Sequence, residues 1–229
     1  MPLFSTVDLV ALAWFIGAWA IYSAILSLTE KRRQGLNSEM NRYRDVWMFQ
    51  MLGREMRMVD AQIVAALQNG TAFFASTSLI AIGGALTLLR SSDAILEVVA
   101  ALPIGVKMTP LQWEAKTIGL AIIFVYAFFK FGWAYRLYNY VAIMVGATPP
   151  AKDKDTPEAN AHAERVGRLC EVAGRHFNQG QRAFFFALGY LGWFISPWLL
   201  MVTSVVVAAV LWRRQFASDS RRALFDPKI

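Results

Sequence analysis

Cysteine is nearly absent: Cys170 stands alone. No intramolecular disulfide can form, and no cysteine-rich metal site either. Histidine is almost as scarce. His162 and His176 share one predicted helix with Cys170, at spacings of eight and six residues. A metal clamp on a helix needs steps of three or four, so no metal or cofactor is expected. The chain has no phosphate-cradling glycine loop, no His-Glu-x-x-His zinc element and no nucleophile elbow. Acidic residues are missing from the interiors of the long apolar blocks; Asp8, Asp93 and Glu114 lie near their outer ends. Without clustered acids or histidines, an enzyme is the weakest of the readings. The first eight residues lack Lys and Arg. The first apolar block therefore reads as a retained span, not a cleaved signal.

What is there is apolar bulk. Hydrophobic residues make up 56% of the chain, above the roughly 45–50% of soluble domains. The excess falls in four blocks, over residues 7–28, 71–89, 117–138 and 184–212. A bilayer needs ~20 apolar residues per helix. Fold class is therefore all-α: a single multi-pass membrane domain of four transmembrane helices. Two amphipathic cytoplasmic helices are expected over 41–67 and 158–177. In the first, Met48, Leu52, Met56, Val59, Ile63 and Leu67 follow three- and four-residue steps. Five of the nine methionines lie between Met40 and Met58, and Met-rich faces adapt to irregular partners. The plain reading packs this stripe on the protein's own spans or the lipid interface. The sharper one makes it a docking face, with Arg44, Trp47, Met48 and Met56 as partner contacts.

Gln68-Asn69-Gly70 and Asn178-Gln179-Gly180-Gln181-Arg182 read as polar hinges before the second and fourth spans. Ser196-Pro197 should kink the fourth. A short interfacial helix is expected over 94–102, and Trp113 as an interfacial anchor. The two halves look alike. Trp19-Ala20 is echoed by Trp133-Ala134, and the Gln68 hinge with Ala72-Phe73-Phe74 by the Gln179 hinge with Ala183-Phe184-Phe185. A 2+2 internal repeat follows as an expectation.

Lys and Arg outnumber Asp and Glu by 23 to 16, giving a net charge of +7. Segment 31–57 carries seven basic residues, 152–182 six, and 90–116 three. By the positive-inside rule the long connections are cytoplasmic and the N-terminus is outside. The basic tail from Arg213 onward opposes this vote: four crossings would leave it outside. The basic residues flank spans, so anionic lipid is a better partner than nucleic acid.

Lys130 is the strongest functional candidate. A charge at span depth costs at least ~2.5 kcal/mol on insertion scales and tends to mark a path or ligand. Against this stands snorkelling, with Arg136 and the span end within about two turns. Asn178, Gln179 and Arg182 could hold a lipid phosphate, Arg182 as a two-pronged donor. The plainer account makes Arg182 an anchor at headgroup depth. A cation–π or interfacial pair could join Arg44 to Trp47, with a structural role as the plain alternative.

At Asn41-x-x-Arg44-x-x-Trp47, at Gln68-Asn69-Gly70, and at Gly180-Gln181-Arg182 leading to Trp193 and Pro197, the chain resembles a family of bacterial and plant membrane proteins. It is the family called domain of unknown function 599. The block from Arg182 to Trp193 is the most specific part. The resemblance implies a compact bundle of about four spans and brings no activity, cofactor or catalytic residue. The functional expectation is a non-catalytic accessory or scaffold subunit that self-associates or joins a larger membrane complex. A small transporter or channel binding an anion near Lys130 is the alternative.

Overall fold

The computed structural model describes residues 3–31, 35–90, 96–97 and 108–225. Seven α-helices follow one another among these residues, with no strand: α1 (Thr6–Lys31), α2 (Leu36–Leu52), α3 (Met58–Arg90), α4 (Pro110–Gly146), α5 (Pro157–Tyr190), α6 (Pro197–Phe216) and α7 (Asp219–Phe225). Two single turns of 3-10 helix, Ala151–Asp153 and Leu191–Phe194, connect them. Four helical segments are long and apolar enough to cross a bilayer: Thr6–Thr29, Met58–Arg90, Pro110–Gly146 and Pro197–Phe225. The protein is thus an all-α, multi-pass membrane protein. The expected interfacial helix at 94–102 lies outside the described residues, apart from a helical Leu96–Glu97.

Local chemistry sets the helix starts. Thr109 and Gln112 form a reciprocal capping box around Pro110 at the head of α4. Thr156 caps α5 ahead of Pro157, and Ser196 caps α6 ahead of Pro197. In each case the proline sits where its missing N–H costs nothing.

The core has two parts. In the apolar half, Phe15, Phe186, Tyr190, Trp193, Phe131 and Leu120 are buried together between α1, α4, α5 and α6. In the polar half, Met48, Met51, Val64, Tyr138, Val141, Val166 and Cys170 join α2 and the far ends of α3, α4 and α5. Helices α3, α4 and α5 run unbroken through both halves. Two glycines permit the close approaches. A Cβ on Gly180 would lie 2.7 Å from the Phe131 ring, and one on Gly174 2.9 Å from the Arg44 guanidinium.

The helix breaks fall elsewhere than the sequence suggests. Helix α3 passes straight through Gln68-Asn69-Gly70, where Gln68 Nε2 donates to Asn139 Oδ1 at 2.6 Å. The interruption is at Gly53, which caps the end of α2, so the 41–67 stripe is divided. Met48 and Leu52 enter the core, whereas Met56, Val59 and Ile63 are exposed on the other side of the break. Likewise α5 continues through Asn178–Arg182.

The larger correction concerns 184–212. It is two helices, not one rod with a kink. The 3-10 turn at Leu191–Phe194 and the restart at Ser196 reverse the chain, so α6 returns along α5. Gly189 faces Thr203 and Val207, and the Arg214 guanidinium lies 5.3 Å from the Phe185 ring centroid. Trp193 is level with Asp8 and Lys116 at one end of the bundle. Asn178 is level with Leu26 and Ser218 at the other. The last turns of α5 therefore traverse the apolar half as well, and Arg213 and Arg214 return to the end holding Arg182 and Asn37. The expected repeat does not extend to α6, which has no counterpart in the first half. Trp19 stacks on Phe186 inside the bundle, whereas its echo Trp133 is half-exposed against His176.

Candidate functional site

The polar run of α5 lies where the apolar half meets the polar half. Because the helix is continuous, its side chains fan out by about 100° per residue. Asn178, Gln181 and Arg182 thus reach one side, Arg175 and Gln179 another. Each side bounds a cavity. The first, about 280 Å³, lies between α1, α2, α5 and the α6–α7 junction. Tyr22, Asn37, Asn178, Gln181, Arg182, Arg214, Gln215 and Ser218 contribute to its walls. The second, about 140 Å³, is bounded by Trp19, Ser23, Ser27, Tyr126, Arg175, Gln179 and Arg182. Arg182 borders both. Among the described residues no carboxylate lines either wall. Two buried amide atoms at these cavities, Gln215 Nε2 and Gln179 Oε1, have no hydrogen-bond partner among the described residues. A cationic hollow rich in donors can hold an anion.

Lys130 lies beside the second cavity but does not bound it. Its ammonium turns back along α4, 5.3 Å from the Tyr126 ring centroid. That is the direction helix geometry gives a side chain, toward its own N-terminus. It is the opposite of an amine stretched to the near boundary. Arg136 is exposed and points the other way, its Nε donating to the Tyr140 hydroxyl at 2.8 Å. The structure thus gathers Asn178, Gln179 and Arg182 with Lys130 nearby, and leaves Arg136 apart.

The partner-contact candidates divide. Met48 is fully buried, and Met56 is 74% exposed. Arg44 bonds Asn41 Oδ1, and Asn41 Nδ2 donates to Glu171 on α5 at 3.2 Å. Trp47 turns its indole N–H inward to Asp60 Oδ1 at 2.7 Å. Asp60 is wholly enclosed and also ion-paired with Arg54. Arg44 and Trp47 therefore fasten α2 to α5 and α3.

Sequence reasoning missed Lys116, Arg214 and Gln215. Lys116, 6% exposed, donates to the Trp193 carbonyl at 2.7 Å and lies 5.0 Å from that indole's centroid. The Trp193 Nε1 donates to Asp8 Oδ1 at 2.9 Å. A cation on a carbonyl of the 3-10 turn that follows α5 is favourably placed. Trp113, the expected anchor, is buried and donates to the Leu88 carbonyl at 3.2 Å. One signal was readable: Trp113 and Lys116 are three apart on one face, opposite Asp8 in the first span. Among the described residues no three His, Cys, Asp or Glu side chains group as a metal site. His162 Nε2 sits 2.9 Å from the Met144 carbonyl.

The sequence model of one family, described as "Protein of unknown function, DUF599", matches residues 10–220. The chain belongs to this family. No curated protein and no solved structure matches it. In this DUF599 chain the match spans every helix from α1 to the start of α7, so it includes both cavities and the α5–α6 reversal.

Proposed function

We propose that this protein is a non-catalytic accessory or scaffold subunit of a bacterial inner membrane, which self-associates or joins a larger membrane complex. One observation carries the reading. The polar half bears a large apolar surface: Met56 is 74% exposed, Met58 63% and Val59 59%. Met58 opens a 33-residue helix, longer than the ~20 residues a bilayer needs, and lies about 20 Å before Thr71 along it. On this reading the bilayer surrounds residues 71–89 and lipid does not cover these side chains. Exposed apolar patches rimmed by polar residues mark interaction sites. The basic residues Arg42, Arg44, Lys152, Lys154, Arg213 and Arg214 share this end, which supports a cytoplasmic polar half and an external N-terminus.

The test is mass in solution. Purified protein in mild detergent, followed by light scattering across a concentration series, should run above monomer mass. The double variant Met56→Glu, Val59→Lys should shift it to monomer with its helical content retained. A wild-type monomer at every concentration, with no partner co-purifying from native membranes, rejects the reading.

A second reading is an anion carrier or channel near Lys130. The 140 Å³ cavity bounded by Tyr126, Arg175, Gln179 and Arg182 favours it. It requires anion flux into proteoliposomes that Lys130→Met abolishes.

A further inference from the structure

We infer that the cavity between α1, α2, α5 and the α6–α7 junction binds the phosphate of an acidic glycerophospholipid, with an acyl chain lying in the groove between α1 and α6. The charge is suited to it. Arg182 and Arg214 both border the cavity, and Arg214 is steadied against the Phe185 ring. Among the described residues, Glu39 of α2 and Asp219 of α7 pair with Arg42 and Arg222 and do not line the walls. Helix α2 opens here. Its N-cap, Gly35, is extended and supplies no side-chain cap, and Leu36 and Asn37 face the cavity. The positive end of a seventeen-residue helix therefore adds to the field.

Gln215 is the independent sign of a missing ligand. It is 8% exposed and lines the cavity, and its Nε2 has no partner among the described residues. A buried amide N–H₂ can only donate, so it calls for an acceptor. A phosphate oxygen supplies one where the protein does not. An unfilled buried donor is otherwise costly.

Tyr22 decides between a lipid and a free anion. It borders this cavity and also the apolar groove of about 560 Å³ between α1 and α6. That groove is walled by Trp14, Gly17, Ile21, Ala208 and Trp212. A free phosphate would use the polar cavity and ignore the groove. A phospholipid at the bundle's edge uses both, headgroup above and chain below.

The full chain in mild detergent should be loaded with an equimolar mixture of phosphatidylglycerol and phosphatidylcholine and read by native mass spectrometry. Phosphatidylglycerol is expected to be retained selectively. Gln215→Leu and Arg214→Gln should each lower its retention about tenfold, the scale of one charge-assisted hydrogen bond. Arg214→Lys should lower it less, because one prong of charge remains. Gly17→Leu, where a Cβ meets nothing within 4 Å in the protein, should lower it by filling the groove. Arg136→Gln, which removes a charge elsewhere, should leave it unchanged. Should Gln215→Leu fail to fold, the exposed Arg214 carries the test. Equal retention of both lipids, or an equal loss with Arg136→Gln, overturns the inference. Displacement by millimolar inorganic phosphate, with Gly17→Leu behaving as wild type, also overturns it and assigns a free anion.

Discussion

Cys170 is enclosed in the polar-half core beside Arg44 and Asp45. Burial pushes its thiol up to about 11, against a small opposing pull from Arg44. A maleimide added to the native protein at pH 8 should leave the mass unchanged, and full labelling should follow only in SDS. Rapid native labelling would contradict the packing of α2 on α5. The sign of the linked stability follows from the raised value. An unfolded thiol ionises near ~8.5, so the folded state holds its proton longer. The thiol's contribution is complete below that pH and is lost as pH rises through about 11. Alkaline loss of stability should therefore be smaller in Cys170→Ala. Asp60 shows the same economy of partners: its carboxylate is wholly buried yet held by Trp47 and Arg54. The Arg44–Trp47 spacing was legible in the sequence, but its purpose was not. Periodicity places two residues on one face without saying what lies opposite.

Between elements, α4 and α5 approach so closely that one hydrogen on Gly180 decides the fit. A methyl there would meet the Phe131 ring at 2.7 Å, whereas on Gly132 it meets nothing within 4 Å. Gly180→Ala should destabilise the protein by about 1–3 kcal/mol, the usual range for overpacking. Gly132→Ala should be neutral or stabilise by up to about 1 kcal/mol. Thermal unfolding in detergent reads both, and equal effects would contradict this helix contact. The same glycine explains a misreading. Asn178-Gln179-Gly180-Gln181-Arg182 looks like a hinge because polarity and glycine together mark loops in water. Here the polar side chains line cavities and the glycine admits an aromatic ring, and no proline stops the helix. Gly53 is the true break, hidden because the apolar stripe appeared to cross it. Pro197 was recognised as a disturbance, but a 3-10 turn and a serine cap convert a kink into a reversal.

Across the whole molecule, that reversal reconciles the charge pattern. The apolar blocks were evident from composition alone, because their length exceeds any surface helix. The number of traverses was not, since α5 enters the apolar half with a polar helix behind it and no apolar run of its own length. With α5 and α6 as separate strokes, the tail joins the other basic segments at one end. In a Cys170→Ala background, Ser5→Cys should react with an impermeant maleimide from one face of the membrane. Lys152→Cys and Asp219→Cys should react from the other. Labelling of Asp219→Cys from the Ser5 side would remove the fifth stroke.

Helix α4 is 37 residues long, about 55 Å at 1.5 Å per residue, against a hydrocarbon layer of ~30 Å. It crosses the boundary with no joint, as do α3 and α5. Such a mast cannot swivel at the waterline. Any lean that a thicker or thinner bilayer imposes on the immersed part is delivered, undiminished and enlarged by leverage, to the Met56–Val59 surface at the tip.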